Sequence, residues 1–135
     1  MTPGKQGSVT GILVAHGGLA KELKRTAESI AGPAEDLDCF TNDDVAPEAL
    51  ALTIGRFLDE RDGPAVVMVD LAGGSCLSAA LRASRGRTGV AVIAGVNLPL
   101  VLDFLQKRDV LPMAELLEHL VDRGRGGIRM VTPGE

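Results

Sequence analysis

The chain predicts a doubly wound α/β domain, an all-parallel sheet in strand order 2-1-3-4 with helices on both faces. Three observations carry that prediction. Short apolar runs alternate along the chain with longer segments of helical periodicity, the pattern of repeated βα units. The runs are continuous rather than alternating apolar and polar, as strands covered on both faces require. And the composition suits a small core: 135 residues, 45% hydrophobic but only 2% aromatic. Such a chain packs Leu, Val, Ile and Ala, and is long enough to bury roughly two-thirds of its unfolded surface.

The elements follow in order. Val9 to Ala15 (VTGILVA) is the first strand, an unbroken apolar run bounded by Gly and His. Leu19, Leu23, Thr26, Ala27 and Ile30 then share one helical face, and Gly32-Pro33 stops that helix. A weaker strand covers Leu37 to Thr41. Pro47 stands where a first helical turn tolerates it, ahead of the stripe Leu50, Ile54, Phe57 and Leu58. Ala65 to Val69 is the clearest strand, ending on Asp70. Ser75 is placed to N-cap a third helix that turns Leu77, Ala80 and Leu81 inward. Val90 to Ala94 is the fourth strand. Pro99 starts a short helix bearing Leu98, Val101, Leu102 and Leu105, and Pro112 opens the last one, with Met113, Leu116, Leu117, Leu120 and Val121 on one face. Ile128 to Val131 is a possible closing edge strand. The whole reads as one domain over 8–131 with loose ends at 1–7 and 132–135. Right-handed crossovers favour the flavodoxin-like order for such a string.

Composition excludes several functions. Single-strand nucleic-acid binders stack bases on aromatic platforms, and three scattered Phe residues supply none. A basic footprint is also missing, since the formal charge is −4. No apolar stretch is long enough for a bilayer: Val90 to Leu105 is interrupted by Gly95, Asn97, Pro99 and Asp103. The first seven residues hold no apolar signal region. Cys39 and Cys76 lie far apart without metal spacing and read as core filler and site filler respectively, suiting a reducing compartment. The expectation is a cytoplasmic protein that meets a membrane only through a partner complex. Neither a P-loop nor a G-x-G-x-x-G is present, and Gly73-Gly74-Ser75-Cys76-Leu77 lacks the second glycine of a hydrolase elbow.

The chemistry then falls where such sheets bind ligands, beyond the carboxyl ends of the strands at the switch point between strands one and three. His16-Gly17-Gly18 and Asp70-Leu71-Ala72-Gly73-Gly74-Ser75 follow those two ends. A carboxylate that accepts from imidazole Nδ1–H leaves Nε2 as a free nucleophile and stabilises charge developing on the ring. Bare glycine turns opening two helices offer backbone N–H groups to an anion. Each residue alone has a structural explanation: a strand-end His bonded in place, an Asp capping a turn, glycines permitting tight packing. Their coincidence at one crevice favours a phosphoryl group carried on His16, oriented by Asp70 and held by Gly17, Gly73, Gly74 and Ser75. His119 falls among Glu115, Glu118 and Asp122, opposite the apolar stripe, and reads as solvated. The six carboxylates between Glu35 and Glu48 read as a solvated loop face, and Arg123, Arg125 and Arg129 as cations at a helix end.

Three stretches, His16-Gly17-Gly18-Leu19-Ala20, Val69-Asp70-Leu71-Ala72-Gly73-Gly74-Ser75 and Gly95-Val96-Asn97-Leu98-Pro99, stand in the order and spacing of one family. The chain resembles the EIIA component of the phosphotransferase system (PTS), mannose/fructose/sorbose family, from about Val9 to Val131. The resemblance implies a phosphotransferase without metal or other cofactor: His16 takes phosphate on Nε2 from phospho-HPr and passes it to a IIB-type partner. It implies Asp70 as the orienting carboxylate and Ser75 as the hydroxyl that contacts the phosphoryl group. A homodimer is implied too, often formed through the C-terminal strand, here Gly127 to Val131. Some positions depart from the family pattern: Cys76 replaces a usual Pro, Ala72 a bulky aromatic, and Ala15 a Ser or Thr. The loop Thr41-Asn42-Asp43-Asp44 also differs. Those departures touch the partner-facing surface and make a regulatory relay an alternative to sugar import. A non-catalytic partner-binding module and a dihydroxyacetone kinase phosphotransfer subunit are the other readings.

Overall fold

The computed structural model describes residues 8–134; positions 1–7 and 135, part of the loose ends read above, lie outside the described residues. The order is β1 (Thr10–Ala15), α1 (Leu19–Ala31), β2 (Leu37–Thr41), α2 (Pro47–Asp59), β3 (Ala65–Val69), α3 (Gly74–Ser84), β4 (Val90–Ala94), α4 (Leu98–Lys107) and α5 (Met113–Gly126). Four strands form one sheet in the order β2-β1-β3-β4, and every neighbouring pair is parallel. The predicted fold is the observed one.

Two cores flank that sheet because side chains alternate along each strand. Leu13, Ala15, Val66 and Met68 face α1, α4 and α5, where Leu100, Phe104, Leu116 and Leu120 are sealed from solvent. Ile12, Val14, Val67 and Val69 face α2 and α3, against Leu50, Ile54 and Ala80. Phe104 is the largest fully buried side chain, and Gly11 makes room for it: a Cβ there would stand 2.6 Å from the Phe104 ring.

Register is what positions the chemistry. Ala15 pairs with Thr41, Val14 with Val69, and Val69 with Ala94. The strands therefore end level, and His16, Asn42, Asp70 and Gly95 all emerge on one edge.

Several expectations are corrected. Ile128 to Val131 forms no strand. Helix α5 packs on α4, so its end emerges where a Cβ on Gly127 would lie 2.6 Å from Pro99, and the tail pairs with no strand among the described residues. A strand without a ladder has nothing to hold its shape, and Ile128 and Met130 are exposed. Leu19, Ile30 and Leu81 also stand exposed, since small Ala20 and Ala27 on α1, and Ala79, Ala80 and Ala83 on α3, bring those helices close to the sheet. Ser75 does not cap α3; the N-cap is Gly73, with no side-chain cap bond, and the helix opens one residue before Ser75. His119 is no free surface residue either: its Nδ1 lies 2.5 Å from Oδ2 of Asp103, a buried carboxylate on α4. On α5 alone His119 is a polar-face residue. Only the packing of α4 beneath it supplies the acceptor.

Candidate active site

His16 is the first residue past β1 and Asp70 the first past β3, on adjacent strands. The Asp70 carboxylate is held by three donors. The backbone N–H of His16 reaches Oδ2 at 3.0 Å, the backbone N–H of Leu71 reaches Oδ1 at 3.0 Å, and His16 Nδ1 lies 3.0 and 3.2 Å from the two oxygens. An ionised carboxylate only accepts, so Nδ1 carries the hydrogen and the lone pair resides on Nε2. The Asp70 side chain is 8% exposed and that of His16 37%: the carboxylate is hidden and the imidazole open. Burial by itself raises the Asp70 carboxyl. The His16 backbone N–H, its ring N–H and charge, and the Leu71 N–H outweigh that and hold it below its ordinary value.

His16 Nε2 faces the start of α3. Gly74 has φ +86, a left-handed conformation that L side chains rarely adopt, and a Cβ there would sit 3.6 Å from His16 Nε2. The bare backbone thus lets a group bonded to Nε2 approach the first turn of α3, whose N–H groups have no intrahelical acceptor and lie at the positive end of the helix dipole. Gly17, at φ +60, makes the corresponding turn into α1. Ser75 Oγ is contacted by Asn42 Nδ2 at 3.4 Å. As an acceptor in that pair, the hydroxyl keeps its own hydrogen to donate.

All six residues singled out in the sequence therefore gather at one strand edge. Two others at that edge carry more than the sequence reading assigned them. Asn42, at the end of β2, reaches Ser75 and has a buried Oδ1 with no partner among the described residues; level strand ends bring its loop here, a consequence of register. Cys76 is fully buried, and its sulfur, an Asp70 oxygen and a His16 ring nitrogen all lie within 4.8 Å of one another. Burial, then the Asp70 charge, push its thiol up, partly opposed by a hydrogen bond from the Asn42 backbone. Beside the site a cleft of about 720 Å³ runs between α1 and β2, with Gly17, Gly18, Lys21, Lys24 and Arg25 on its wall.

Comparison with known proteins bears on the family and the fold. Residues 10–121 match the family model of the PTS system fructose IIA component. The chain is 33% identical over 125 residues to the PTS system mannose-specific EIIAB component of Escherichia coli K12, an alignment covering 87% of this chain and 38% of that protein. It therefore spans well under half the length of the curated relatives it matches. Among solved structures, the phosphotransferase system component EIIA from Streptococcus agalactiae superposes with a TM-score of 0.84 at 21% identity, covering 90% of this chain and 96% of that one. The mannose/sorbose specific IIA subunit from Enterococcus faecalis gives a TM-score of 0.83 at 24% identity, covering 95% and 98%. At those identities the structures establish the shared fold, while the family match over residues 10–121 decides kinship. The chain belongs to the mannose-type EIIA family of the sugar phosphotransferase system.

Proposed function

We propose that the chain is a single phosphohistidine transfer domain over 8–131 that accepts a phosphoryl group on Nε2 of His16 from phospho-HPr and hands it to a IIB-type partner. The observation that carries this reading is the Asp70–His16 hydrogen bond, which fixes the tautomer with Nε2 free beside the bare Gly74 backbone. In the forward step the Nε2 lone pair attacks phosphorus in line as the donor's P–N bond breaks, its electron pair returning to the donor imidazole. Asp70 stabilises the positive charge that develops on the His16 ring. The first-turn N–H groups of α3 and the Ser75 hydroxyl donate to the phosphoryl oxygens, with Gly17, Gly73 and Gly74 leaving them room. Positioning and fixed donors suffice for a near-thermoneutral transfer between two imidazoles. The reverse geometry serves release to the acceptor.

Lys21 and Lys24 in the adjoining cleft suit a partner that arrives bearing phosphate. The reading includes a homodimer, supported by the edge of β4, unpaired among the described residues, and the exposed apolar tail Ile128, Met130 and Val131. The decisive assay is intact mass after mixing with phosphoenolpyruvate, enzyme I and HPr. One acid-labile phosphate, about 80 Da, is expected in the native chain and none in His16→Ala. A folded native chain that stays unlabelled with several HPr preparations removes the proposal.

A further inference from the structure

Phosphoryl transfer makes no use of Cys76, yet the thiol sits in the first turn of α3 directly against the two residues that do the chemistry. Imidazole nitrogen, carboxylate oxygen and thiol sulfur are three donors of different type, and here all lie within 4.8 Å of one another. A tetrahedral zinc ion holds nitrogen and oxygen at about 2.0–2.2 Å and sulfur at about 2.3 Å, so its donors stand roughly 3.3–3.8 Å apart. The 3.0 Å separation of His16 Nδ1 and Asp70 Oδ2 is already close to that spacing, and the sulfur needs to close by about an ångström at most.

The charges match as well. A thiolate and a carboxylate cancel the two charges of a dication, and a neutral imidazole adds none, so the ligated group is neutral overall. Neutrality matters because Cys76 is fully buried and the Asp70 side chain is 8% exposed, where an unbalanced charge is costly. The donor set also selects among ions. Magnesium and calcium take six or more oxygens, whereas a mixed N, O, S set suits zinc and its borderline-soft neighbours.

We propose that His16, Asp70 and Cys76 form a site for a thiophilic divalent cation of the zinc type, and that occupancy shuts off phosphoryl acceptance at His16. The second half rests on the function proposed above; the binding itself does not. On binding, the Cys76 thiol proton passes to solvent and sulfur ligates as thiolate. If the ion takes Nδ1, the ring hydrogen relocates to Nε2. If it takes Nε2, the lone pair is used directly. Either way the nucleophilic lone pair is lost, so the ion acts as an inhibitor and not as a cofactor. A fourth, water position remains open at the exposed face of His16.

The test uses untagged full-length chain, with zinc titrated calorimetrically and cobalt(II) as the spectroscopic probe. One zinc per chain is expected, with about one proton released, and cobalt should show a thiolate-to-metal charge-transfer band. Cys76→Ala and Cys76→Ser, checked for folding by circular dichroism, should abolish the band. They should also weaken zinc by at least the ten- to hundredfold that loss of even an outer-shell partner costs. Cys39→Ala, the other thiol, should change neither, and magnesium should not compete. Zinc should block mass labelling of the native chain and leave each Cys76 variant near its own zinc-free rate. No binding at micromolar zinc, a cobalt complex without the sulfur band, or unchanged affinity in both Cys76 variants overturns the proposal. Zinc bound normally by a chain that never labels would sink the transfer function and leave the site standing. Labelling without zinc binding would do the reverse.

Discussion

The direction of one hydrogen bond governs His16. Asp70 can only accept, so Nδ1 donates and Nε2 is left with its lone pair. In Asp70→Asn the amide is able to donate instead, which permits the opposite tautomer and puts the hydrogen on the nitrogen that must attack. Labelling should slow by at least about a hundredfold with the fold retained; unchanged kinetics would remove Asp70 from the mechanism. The same contact has a signature in pH. Asp70 is held below its ordinary value of 3.8, so its folded-state value lies below its unfolded one. Its contribution to stability is then complete above the unfolded value and is lost as pH falls through the lower, folded one. The melting temperature of Asp70→Asn should accordingly lie below that of the native chain at neutral pH, and the gap should begin to narrow only as pH falls below about 4. Both residues were legible in the sequence because a titratable group at the end of an apolar strand is conspicuous. Cys76 was legible only as a filler beside the site, and its approach to within 4.8 Å of both partners depends on how α3 packs against β1 and β3.

Among elements, α3 has to be held still, because its first turn forms one wall of the site. Its far end is clamped to α2 by Arg87, which donates to the carbonyls of Ala83 at 2.7 Å and Gly55 at 3.1 Å and to Asp59 at 2.7 Å. Asp59 is 66% exposed, so its ion pair contributes little, and the two carbonyl contacts carry the effect. Arg87→Ala should cost about 1–3 kcal/mol in urea unfolding, against less than about 1 kcal/mol for Asp59→Ala. Equal losses would show that the ion pair matters more than the carbonyls. Periodicity placed every helix of this layer, yet it misjudged Leu81 and Ser75. An apolar residue on a helix faces inward only if a neighbour covers it, and a serine caps only if the chain turns at that residue. The pairing of His119 with Asp103 was hidden for the same reason, being a contact between two helices that no spacing within either reveals.

At the largest scale, β4 keeps one edge unpaired among the described residues while Ile128, Met130 and Val131 stand exposed on the tail. An open parallel edge and an unpartnered apolar segment complement each other between two copies. Sedimentation should give a dimer at tens of micromolar, and Ile128→Asp with Met130→Asp should shift it toward monomer with α-helix content unchanged. A native chain that sediments as a monomer would end that part of the proposed function. The four strands, their parallel order and the crevice between β1 and β3 all followed from apolar runs, helical periodicity and the handedness of crossovers, because those depend on local pattern and chain chirality. What required the tertiary structure was everything set by register and by helix-on-helix packing: the level strand ends that bring Asn42 to Ser75, the approach of Cys76 to His16 and Asp70, and the failure of the tail to form a strand. Those contacts join residues far apart in the chain, and only the distances within the folded chain decide them.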